Sequence, residues 1–507
     1  MCYLFWICGV IVLFSSFVSD PDDKHDLLLY NTIFSIIITA SFFFMSGWVR
    51  KAVLITFSLI TFAPTLIETG WFIMDKSVLI RNQFWVIFET NPAEMYGFLS
   101  MVQWWQWLLL ICYVVVAIVL FVFALKECNT PTQLVPSLIA ALLVGSTIFI
   151  QQMRNNVPCI DFYTSYRSYR IDLKKSQAFM NNRMNMNGLV TDEFSDKTAA
   201  VVVIIGESLS KNHCSLYGYC RPTTPRLEKR NDVIVYQNIR SAAFMTQEVL
   251  QQILTFMTKQ DPDARWNKPS LPELLNAAGW HTYWYEPYSG KHDTSNAIPT
   301  GFQSISKLCT SYHLGRDGEQ YDESHLDHLV DALNDSTSKR KAIFLHLIGN
   351  HFPYDARYPQ TFKYFTDDDI CSPYVNRLNH HQKAVVNAYD NAVRYNDWLI
   401  DSVLNILSCQ TGSCAMLYFS DHGEEIYDYD FYAGRSFNHI TNSLYEIPCI
   451  LWTNDSYRDS NHLYINSDKS YCTGDMIHSL LDLFAVTYSA KDTCRSLFRY
   501  TTNSVDE

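Results

Sequence analysis

The chain has 507 residues and a formal net charge of −12 at pH 7. It is too long for one ordinary domain, and neither its charge nor any Lys/Arg-rich run indicates a nucleic-acid partner. Hydrophobic residues are concentrated in the first 150 positions, whereas the remainder has a mixed composition and ample length for its own core. The composition therefore predicts a membrane-embedded part followed by a water-soluble domain.

Five apolar stretches precede residue 151. They cover residues 2–18, 27–48, 52–74, 104–125 and 134–150. Each is near the length that a bilayer core requires. The first lacks the basic leader of a secretory signal, and four more apolar segments follow it, so we interpret it as a retained helix. Residues 1–150 are therefore predicted to form a transmembrane domain of five helices.

The charges of the loops predict the orientation of these helices. Arg50 and Lys51 lie between the second and third stretches, and Lys126 follows the fourth. The positive-inside rule places these loops in the cytoplasm, so everything after residue 150 lies outside. Residues 151–197 are polar and are predicted to form a bridging linker with one surface helix.

Strand-like and helical patterns alternate in residues 198–507. The strand-like runs are residues 201–205, 281–285, 342–348, 415–420 and 448–452. The helical patterns include residues 247–257, 271–278, 382–407 and 474–484. This alternation predicts an α/β domain with a largely parallel sheet covered by helices.

Ten of the 14 cysteines follow residue 150, where an oxidising compartment would allow them to pair. Cys409 and Cys414 flank a four-residue turn and are the best local candidates for a disulfide. Cys214 with Cys220 is a weaker candidate, and Cys449 lies in an apolar strand where a buried thiol is the simpler interpretation.

Polar residues follow two of the predicted strands directly. Glu207 comes after the run 201–205, and Asp421, His422, Gly423 and Glu424 come after the run 415–420. The carboxyl ends of parallel strands meet at one edge of a sheet, where α/β proteins bind ligands. Carboxylate oxygens with an imidazole nitrogen suit zinc. The alternative for Glu207 taken alone is a solvated turn or a helix cap.

Two histidines lie at the end of a third strand. His346 falls within the apolar alternation, so it is either a core histidine or part of the site. His351 lies beyond the strand beside Gly and Pro residues, where loops present functional groups.

Four motifs together resemble the membrane phosphoethanolamine transferases of the alkaline phosphatase/sulfatase superfamily. They are Gly-Glu-Ser at 206–208, Gly-Tyr-x-Arg-x-Thr-Thr-Pro at 218–225, His-x4-His-x-Pro at 346–353 and Ser-Asp-His-Gly-Glu at 420–424. Five transmembrane helices before the catalytic domain are also typical of that family. The resemblance implies a sulfatase-like α/β/α sandwich in the periplasm, anchored by a multi-pass domain in the bacterial inner membrane.

The resemblance also implies an activity. Its members transfer phosphoethanolamine from phosphatidylethanolamine to a lipopolysaccharide acceptor, either core heptose or lipid A, through a covalent intermediate on a threonine and with Zn²⁺. The region around that threonine is closer to the core-heptose branch. A phosphoglycerol transferase or another sulfatase-superfamily phosphotransferase or hydrolase is the alternative. A catalytically inactive membrane scaffold is a third interpretation.

Matching the family pattern residue by residue gives a candidate site. Thr246 is the implied nucleophile at the amino end of a helix, and its alternative role is to cap that helix. Ser241 is the alternative nucleophile. The implied zinc ligands are Glu207, Thr246, Asp421 and His422.

Further residues are implied around the phosphoryl group. His351 and His439 are the implied catalytic histidines, although residues 427–434 lengthen the spacing before His439, so Arg435 is an alternative to it. The implied substrate-binding residues are His346, Lys291, Thr90 and Glu94, of which the last two match a membrane-side loop that recognises the ethanolamine head group. The alternative for that loop is an ordinary interfacial helix.

Overall fold

The structure is a computed structural model that describes residues 21–45, 47–75, 99, 102–126, 134–146, 158–181, 190–192, 198–286, 308–311, 321–366, 369–436 and 439–498. The chain divides into two compact units. One consists of Met1–Lys174 with the short segment Ser436–Asn438, and the other consists of Lys175–Arg435 and His439–Glu507.

The amino-terminal part is mostly helical over the residues that the structure describes. Its helices are α1 (Pro21–Phe44), α2 (Gly47–Asp75), α3 (Trp104–Lys126), α4 (Leu134–Ser146) and α5 (Pro158–Asn181). Two segments, Gly47–Trp71 and Trp104–Lys126, are long and apolar enough to cross a membrane, and Thr32–Phe42 is a shorter apolar helix. The first predicted span, residues 2–18, lies outside the described residues. Helix α5 occupies the predicted linker.

The second unit is built on a seven-stranded sheet with the order β3-β11-β8-β2-β7-β5-β6. These strands are β2 (Ala199–Gly206), β3 (Val233–Tyr236), β5 (His281–Glu286), β6 (Leu308–Ser311), β7 (Arg340–His346), β8 (Ser413–Ser420) and β11 (Cys449–Thr453). Strand β2 pairs in parallel with β7 and β8, and β5 pairs in parallel with β6 and β7. Strand β11 is antiparallel to both neighbours. The predicted, largely parallel sheet is confirmed.

Shorter strands and seven α-helices complete the described part of this unit. The shorter strands are β1 (Val190–Asp192), β4 (Ile239–Arg240), β9 (Glu425–Ile426), β10 (Ala433–Gly434), β12 (Tyr471–Cys472) and β13 (Val486–Tyr488). The helices are α6 (Thr246–Leu254), α7 (Ala264–Asn267), α8 (Leu271–Ala277), α9 (Ser324–Asn334), α10 (His380–Ser408), α11 (Asp455–Ser460) and α12 (Met476–Leu483).

The sheet is buried on both faces. All eight residues of β2 are buried, and because side chains alternate along a strand they contribute to two separate cores. Val201 and Val203 pack in the core that includes residues of α6, α8 and α12. Val202 and Ile204 pack in the core that includes residues of α9 and α10. A continuous β-branched run is what a strand covered by helices on both faces requires.

The predicted disulfides are wrong. Cys220 is bonded to Cys371, which lies 151 residues further along the chain, whereas Cys214, Cys409 and Cys414 remain thiols. Cys409 is the exposed C-cap of α10, and Cys414 is buried inside β8. Proximity in sequence therefore does not bring these two sulfur atoms together. Cys449 is a buried thiol in β11, as expected.

The Gly-Tyr-x-Arg-x-Thr-Thr-Pro motif has a structural role, which centres on the buried carboxylate of Asp390 in α10. Tyr219 donates to it at 3.1 Å and Arg221 at 2.7 Å. His213 Nδ1 lies 2.6 Å from the same carboxylate, and its Nε2 lies 3.3 Å from Asp428. Burial opposes a charge on His213, but Asp428 and Asp390 outweigh it and raise the pKa of His213 to about 10. An imidazolium therefore joins α10 to the loop after β9.

We expect His213→Gln to destabilise the protein in a pH-dependent way. Because the native pKa lies above the ordinary value of 6.5, the stabilisation is complete below pH 6.5 and is lost as the pH rises through about 10. Removing one partner of a buried ion pair costs about 3–5 kcal/mol. The free energy of unfolding, measured by denaturant titration of the detergent-solubilised chain, should show this deficit at pH 6 and a smaller one at pH 10.

His462→Gln is the control, since His462 is exposed, and its effect should stay within about 0.5 kcal/mol. A deficit of the His213 variant that is the same at both pH values would contradict a charged His213.

Candidate metal centre and nucleophile

Strands β2 and β8 bring three predicted ligands to one edge of the sheet. Gly206 pairs with Ser420 in parallel register, and the Asp421 N–H donates to the Gly206 carbonyl at 2.8 Å. As a result, ligand atoms of Glu207, Asp421 and His422 all lie within 4.8 Å of one another, and the three side chains are buried. The cluster expected from the sequence is present.

Two glycines make room for this arrangement. A Cβ on Gly423 would collide with the carbonyl oxygen of Ser443. Gly349 has a φ of +47°, and a Cβ there would lie 2.8 Å from the Glu207 carbonyl oxygen. Any larger residue at either position would push the backbone away from the cluster, so glycine is required at both.

The ring of His422 is oriented by its backbone surroundings. Its Nδ1 lies 2.8 Å from the Gly423 carbonyl oxygen, which can only accept, so Nδ1 carries the proton. The lone pair of Nε2 is left facing the carboxylates, 3.4 Å from Glu207 Oε1 and 3.3 Å from Asp421 Oδ2. Burial, followed by the charge of Arg435, lowers the pKa of His422. A neutral ring in this tautomer is the form that binds a metal ion.

The pKa values of the two carboxylates are shifted in opposite directions. Burial raises the pKa of Glu207, but the hydrogen bond and charge of His422, with help from His351 and Arg435, hold that pKa well below its usual range. Burial and the negative charge of Glu207 raise the pKa of Asp421 well above its usual range. Two buried carboxylates this close keep both negative charges only if a cation lies beside them.

The donor atoms fit a zinc ion. Asp421 Oδ1 accepts hydrogen bonds from the Ser208 and His422 N–H groups, whereas its buried Oδ2 has no hydrogen-bond partner among the described residues. Ser208 Oγ also donates to Glu207 Oε1 at 2.7 Å and thereby orients the second carboxylate. Two carboxylates and one imidazole are donors of the kind that zinc prefers, and the Thr246 hydroxyl lies beside them as a candidate fourth donor. Ser208 was not singled out from the sequence.

Thr246 does not cap its helix. It is the first helical residue of α6, and the N-cap is Met245, which makes no side-chain cap hydrogen bond. The Thr246 hydroxyl instead donates to Glu207 Oε2 at 2.9 Å and lies 3.2 Å from His422 Nε2. The capping role is therefore wrong. Ser241, the alternative nucleophile, is buried with its hydroxyl directed at the carbonyl oxygens of Ala243 and Asp421.

The loop after β7 places His351 beside the cluster. The Asn350 N–H donates to the Glu207 carbonyl oxygen at 2.9 Å, and buried Asp322 accepts the N–H groups of Ile348 and Gly349. His351 Nδ1 donates to the Phe352 carbonyl, which leaves Nε2 as the acceptor. Burial lowers the pKa of His351 to about 4, although the charge of Glu207 opposes this shift.

Arg435 and Glu424 extend the cluster. Arg435 Nη1 lies 2.5 Å from His422 Nε2, and its Nε lies 3.2 Å from Glu424 Oε2. Tyr354 donates to the other oxygen of Glu424 at 2.9 Å. Burial raises the pKa of Glu424 to about 7, against the opposing charge of Arg435. No separate role was predicted for Glu424, and Arg435 was expected only as an alternative to His439.

The remaining predicted residues lie elsewhere. His439 is stacked on Tyr432 at 4.2 Å and ion-paired with Asp430 at 2.5 Å, so its described contacts do not reach the cluster. His346 is buried at the end of β7, with its ring 6.1 Å from that of Trp284. Thr90, Glu94 and Lys291 lie outside the described residues, so their substrate-binding roles stay predictions.

Residues 199–486 match the family model described as Sulfatase. The chain belongs to the sulfatase family. The matched segment runs from β2 to the start of β13, so it contains every residue of the cluster described above.

Curated relatives match over most of the chain. Phosphoethanolamine transferase EptC of Escherichia coli (strain K12) is 27% identical, with 97% of this chain and 90% of the relative covered. Phosphoethanolamine transferase CptA of Salmonella typhimurium is 27% identical with the same coverage. The resemblance expected from the four motifs is confirmed by these relatives.

Solved structures support the fold of both units. The C-terminal periplasmic domain of EptC from Escherichia coli in complex with Zn is 30% identical, with a TM-score of 0.58 and coverage of 62% of this chain and 90% of that one. The integral membrane protein lipooligosaccharide phosphoethanolamine transferase A from Neisseria meningitidis is 18% identical. Its TM-score is 0.67, with coverage of 98% of this chain and 95% of that one. The second likeness shows a shared fold.

We expect Glu207→Ala and Asp421→Ala each to remove zinc from the purified protein, because each deletes one of the ligand atoms that converge on the site. Zinc content measured by inductively coupled plasma mass spectrometry should fall from a stoichiometric level to background. Glu228→Ala, which alters an exposed carboxylate, is the matched control and should retain the metal. Stoichiometric zinc in both cluster variants would rule out this site.

Proposed function

We propose that this protein transfers phosphoethanolamine from phosphatidylethanolamine to a lipopolysaccharide acceptor through a covalent intermediate on Thr246. The observation that carries the proposal is the position of the Thr246 hydroxyl, which contacts two members of the buried metal-binding cluster. The relatives that match nearly the whole chain are named phosphoethanolamine transferases, which supports this reaction class and this transferred group.

Zinc is the proposed cofactor, held by Glu207, Thr246, Asp421 and His422. When bound, it lowers the pKa of a coordinated hydroxyl and neutralises negative charge on phosphoryl oxygens. The three buried side chains and the tautomer of His422 support this ligand set. A structure of a relative that is a zinc complex is consistent with it.

In the first displacement, Thr246 Oγ forms a bond to the phosphorus of the lipid phosphodiester while the bond from phosphorus to the diacylglycerol oxygen breaks. The hydroxyl proton is released to water, because Glu207, to which Thr246 donates at 2.9 Å, has a pKa too low to keep it. The departing oxygen takes a proton from His351, whose protonated form is favoured by the negative charge of the bound phosphodiester. The product is phosphoethanolamine esterified to Thr246.

In the second displacement, a hydroxyl of the acceptor attacks the same phosphorus and Thr246 Oγ leaves, recovering a proton from water. His351 Nε2 accepts the proton of the attacking hydroxyl, because its Nδ1 is already committed to the Phe352 carbonyl. One imidazole thus serves as the acid in one half-reaction and the base in the other. His439, paired with Asp430, has no part in this scheme.

The membrane part fits a lipid donor. We place five helices in the inner membrane, namely the two segments that the structure makes long and apolar enough and three that rest on the sequence pattern. Arg50, Lys51 and Lys126 mark the cytoplasmic loops. This topology puts the catalytic domain in the periplasm, the compartment in which a Cys220–Cys371 disulfide forms.

We expect Thr246→Ala to fold and bind zinc nearly normally but to lose transfer completely, because no oxygen remains to accept the phosphoryl group. Thr246→Ser should keep part of the activity. Intact-protein and peptide mass spectrometry after incubation with phosphatidylethanolamine should show one phosphoethanolamine on the Thr246 peptide of the wild type and none in the alanine variant. Ser241→Ala is the control and should still be labelled. Normal lipopolysaccharide modification by Thr246→Ala would exclude this nucleophile.

The topology makes a separate prediction. Alkaline phosphatase, which is active only outside the cytoplasm, should be active when fused after Lys197 and silent when fused after Lys51. Green fluorescent protein fused at the same two positions is the complementary control and should fluoresce only after Lys51. The reverse pattern would place the catalytic domain in the cytoplasm and separate it from a periplasmic acceptor.

A further inference from the structure

The β9–β10 hairpin returns the chain to the metal-binding cluster. Gly434 pairs with Glu425 in antiparallel register, so the next residue on one strand, Arg435, comes opposite the preceding residue on the other, Glu424. The 427–434 segment that lengthens the sequence between Asp421 and His439 is therefore the connection that carries an arginine to the site.

The hairpin is held by the carboxylates of Glu425 and Asp428. Glu425 Oε1 accepts the N–H groups of Asp428 and Tyr429, and Oε2 accepts from Thr441. Asp428 also forms the ion pair with buried His213. These contacts hold the hairpin in place and, with it, the backbone of Arg435.

The guanidinium of Arg435 lies between the cluster and the nucleophile loop. Its Nη1 is 2.5 Å from His422 Nε2 and 3.4 Å from the carbonyl oxygen of Phe244, two residues before Thr246. Its Nη2 is 3.8 Å from Glu207 Oε1, and its Nε is 3.2 Å from Glu424 Oε2. The side chain is 18% exposed, so one side remains open to a ligand.

The contact between Arg435 and His422 is not compatible with a metal ion bound to His422. His422 Nε2 has one lone pair, which a guanidinium N–H and a metal ion cannot share. A bound metal therefore releases Nη1, while Glu424, itself held by Tyr354, still anchors Nε. The released donors remain beside the Thr246 loop, where the phosphoryl group arrives. A planar guanidinium offers paired N–H donors that match phosphate oxygens.

We propose that Arg435, anchored by Glu424, binds a non-bridging oxygen of the phosphoryl group during its transfer to and from Thr246. This inference rests on the proposed function for the identity of the transferred group. It assigns Arg435 a direct contact with substrate and Glu424 a positioning role, and neither role requires His439.

Inorganic phosphate is the probe for this subsite, because its binding requires no lipid donor and no acceptor. Isothermal titration calorimetry on the zinc-loaded full-length protein should give a phosphate affinity about tenfold or more weaker for Arg435→Gln than for the wild type. Arg435→Lys should lose less phosphate affinity, because lysine keeps the positive charge but lacks the paired N–H donors of the guanidinium. Glu424→Gln should also weaken phosphate binding. Arg226→Gln, which alters an exposed arginine paired with Asp401, should leave it unchanged.

Zinc affinity and turnover separate this role from a structural one. The guanidinium of Arg435 competes with the metal ion for His422, and its positive charge repels the metal ion. Arg435→Gln should therefore bind zinc at least as tightly as the wild type. Its labelling of Thr246 by phosphatidylethanolamine should slow about 100-fold. Weaker zinc binding in Arg435→Gln, or phosphate binding and labelling equal to the wild type, would overturn the inference.

The two proposals fail in different ways. If the wild type is never labelled by phosphatidylethanolamine but phosphate binding still depends on Arg435, the donor is wrong and the subsite stands. If labelling of Thr246 is normal in both the wild type and Arg435→Gln, the transfer function stands and the subsite is wrong.

Discussion

The site depends on the placement of two carboxylates, Glu207 and Asp421, side by side in a buried pocket. Their mutual repulsion and their loss of hydration oppose folding unless positive charge compensates them. The surroundings provide that compensation in several ways: the N–H groups that reach Asp421, the hydroxyl of Ser208 and the guanidinium of Arg435. A bound cation would complete the compensation, and in the proposed function the same cation activates the Thr246 hydroxyl, which contacts Glu207 rather than capping its helix.

The sequence predicted the ligands because they follow buried strands directly. In a parallel sheet, the register of β2 with β8 fixes where the next residue of each strand lies, so Glu207 and Asp421 had to meet. Most elements of the α/β domain were predicted for the same reason, since apolar periodicity reports burial. The short edge strands β3 and β6 were not predicted, because each has only four residues and pairs with a single neighbour in the sheet.

Residues whose position depends on distant pairing could not be found in this way. Arg435 reaches the site through a hairpin whose register cannot be read from local sequence patterns. His439, whose separation from Asp421 is lengthened by residues 427–434, is held by Asp430 instead. The Thr-Thr-Pro motif helped to identify the family, yet Thr223 and Thr224 bond to the backbone of residues 213–216. A motif that identifies a family can therefore have a structural role rather than a catalytic one.

The Cys220–Cys371 bond divides the site along the chain. It closes a covalent ring of the intervening residues, and this ring contains Thr246 and His351, whereas Glu207, Asp421 and His422 lie outside it. The proposed nucleophile and the proposed proton carrier thus belong to one cyclic segment, and the other three proposed metal ligands belong to the two arms that leave it. A single backbone cleavage within the ring would leave all of these residues in one covalently connected molecule until the disulfide was reduced.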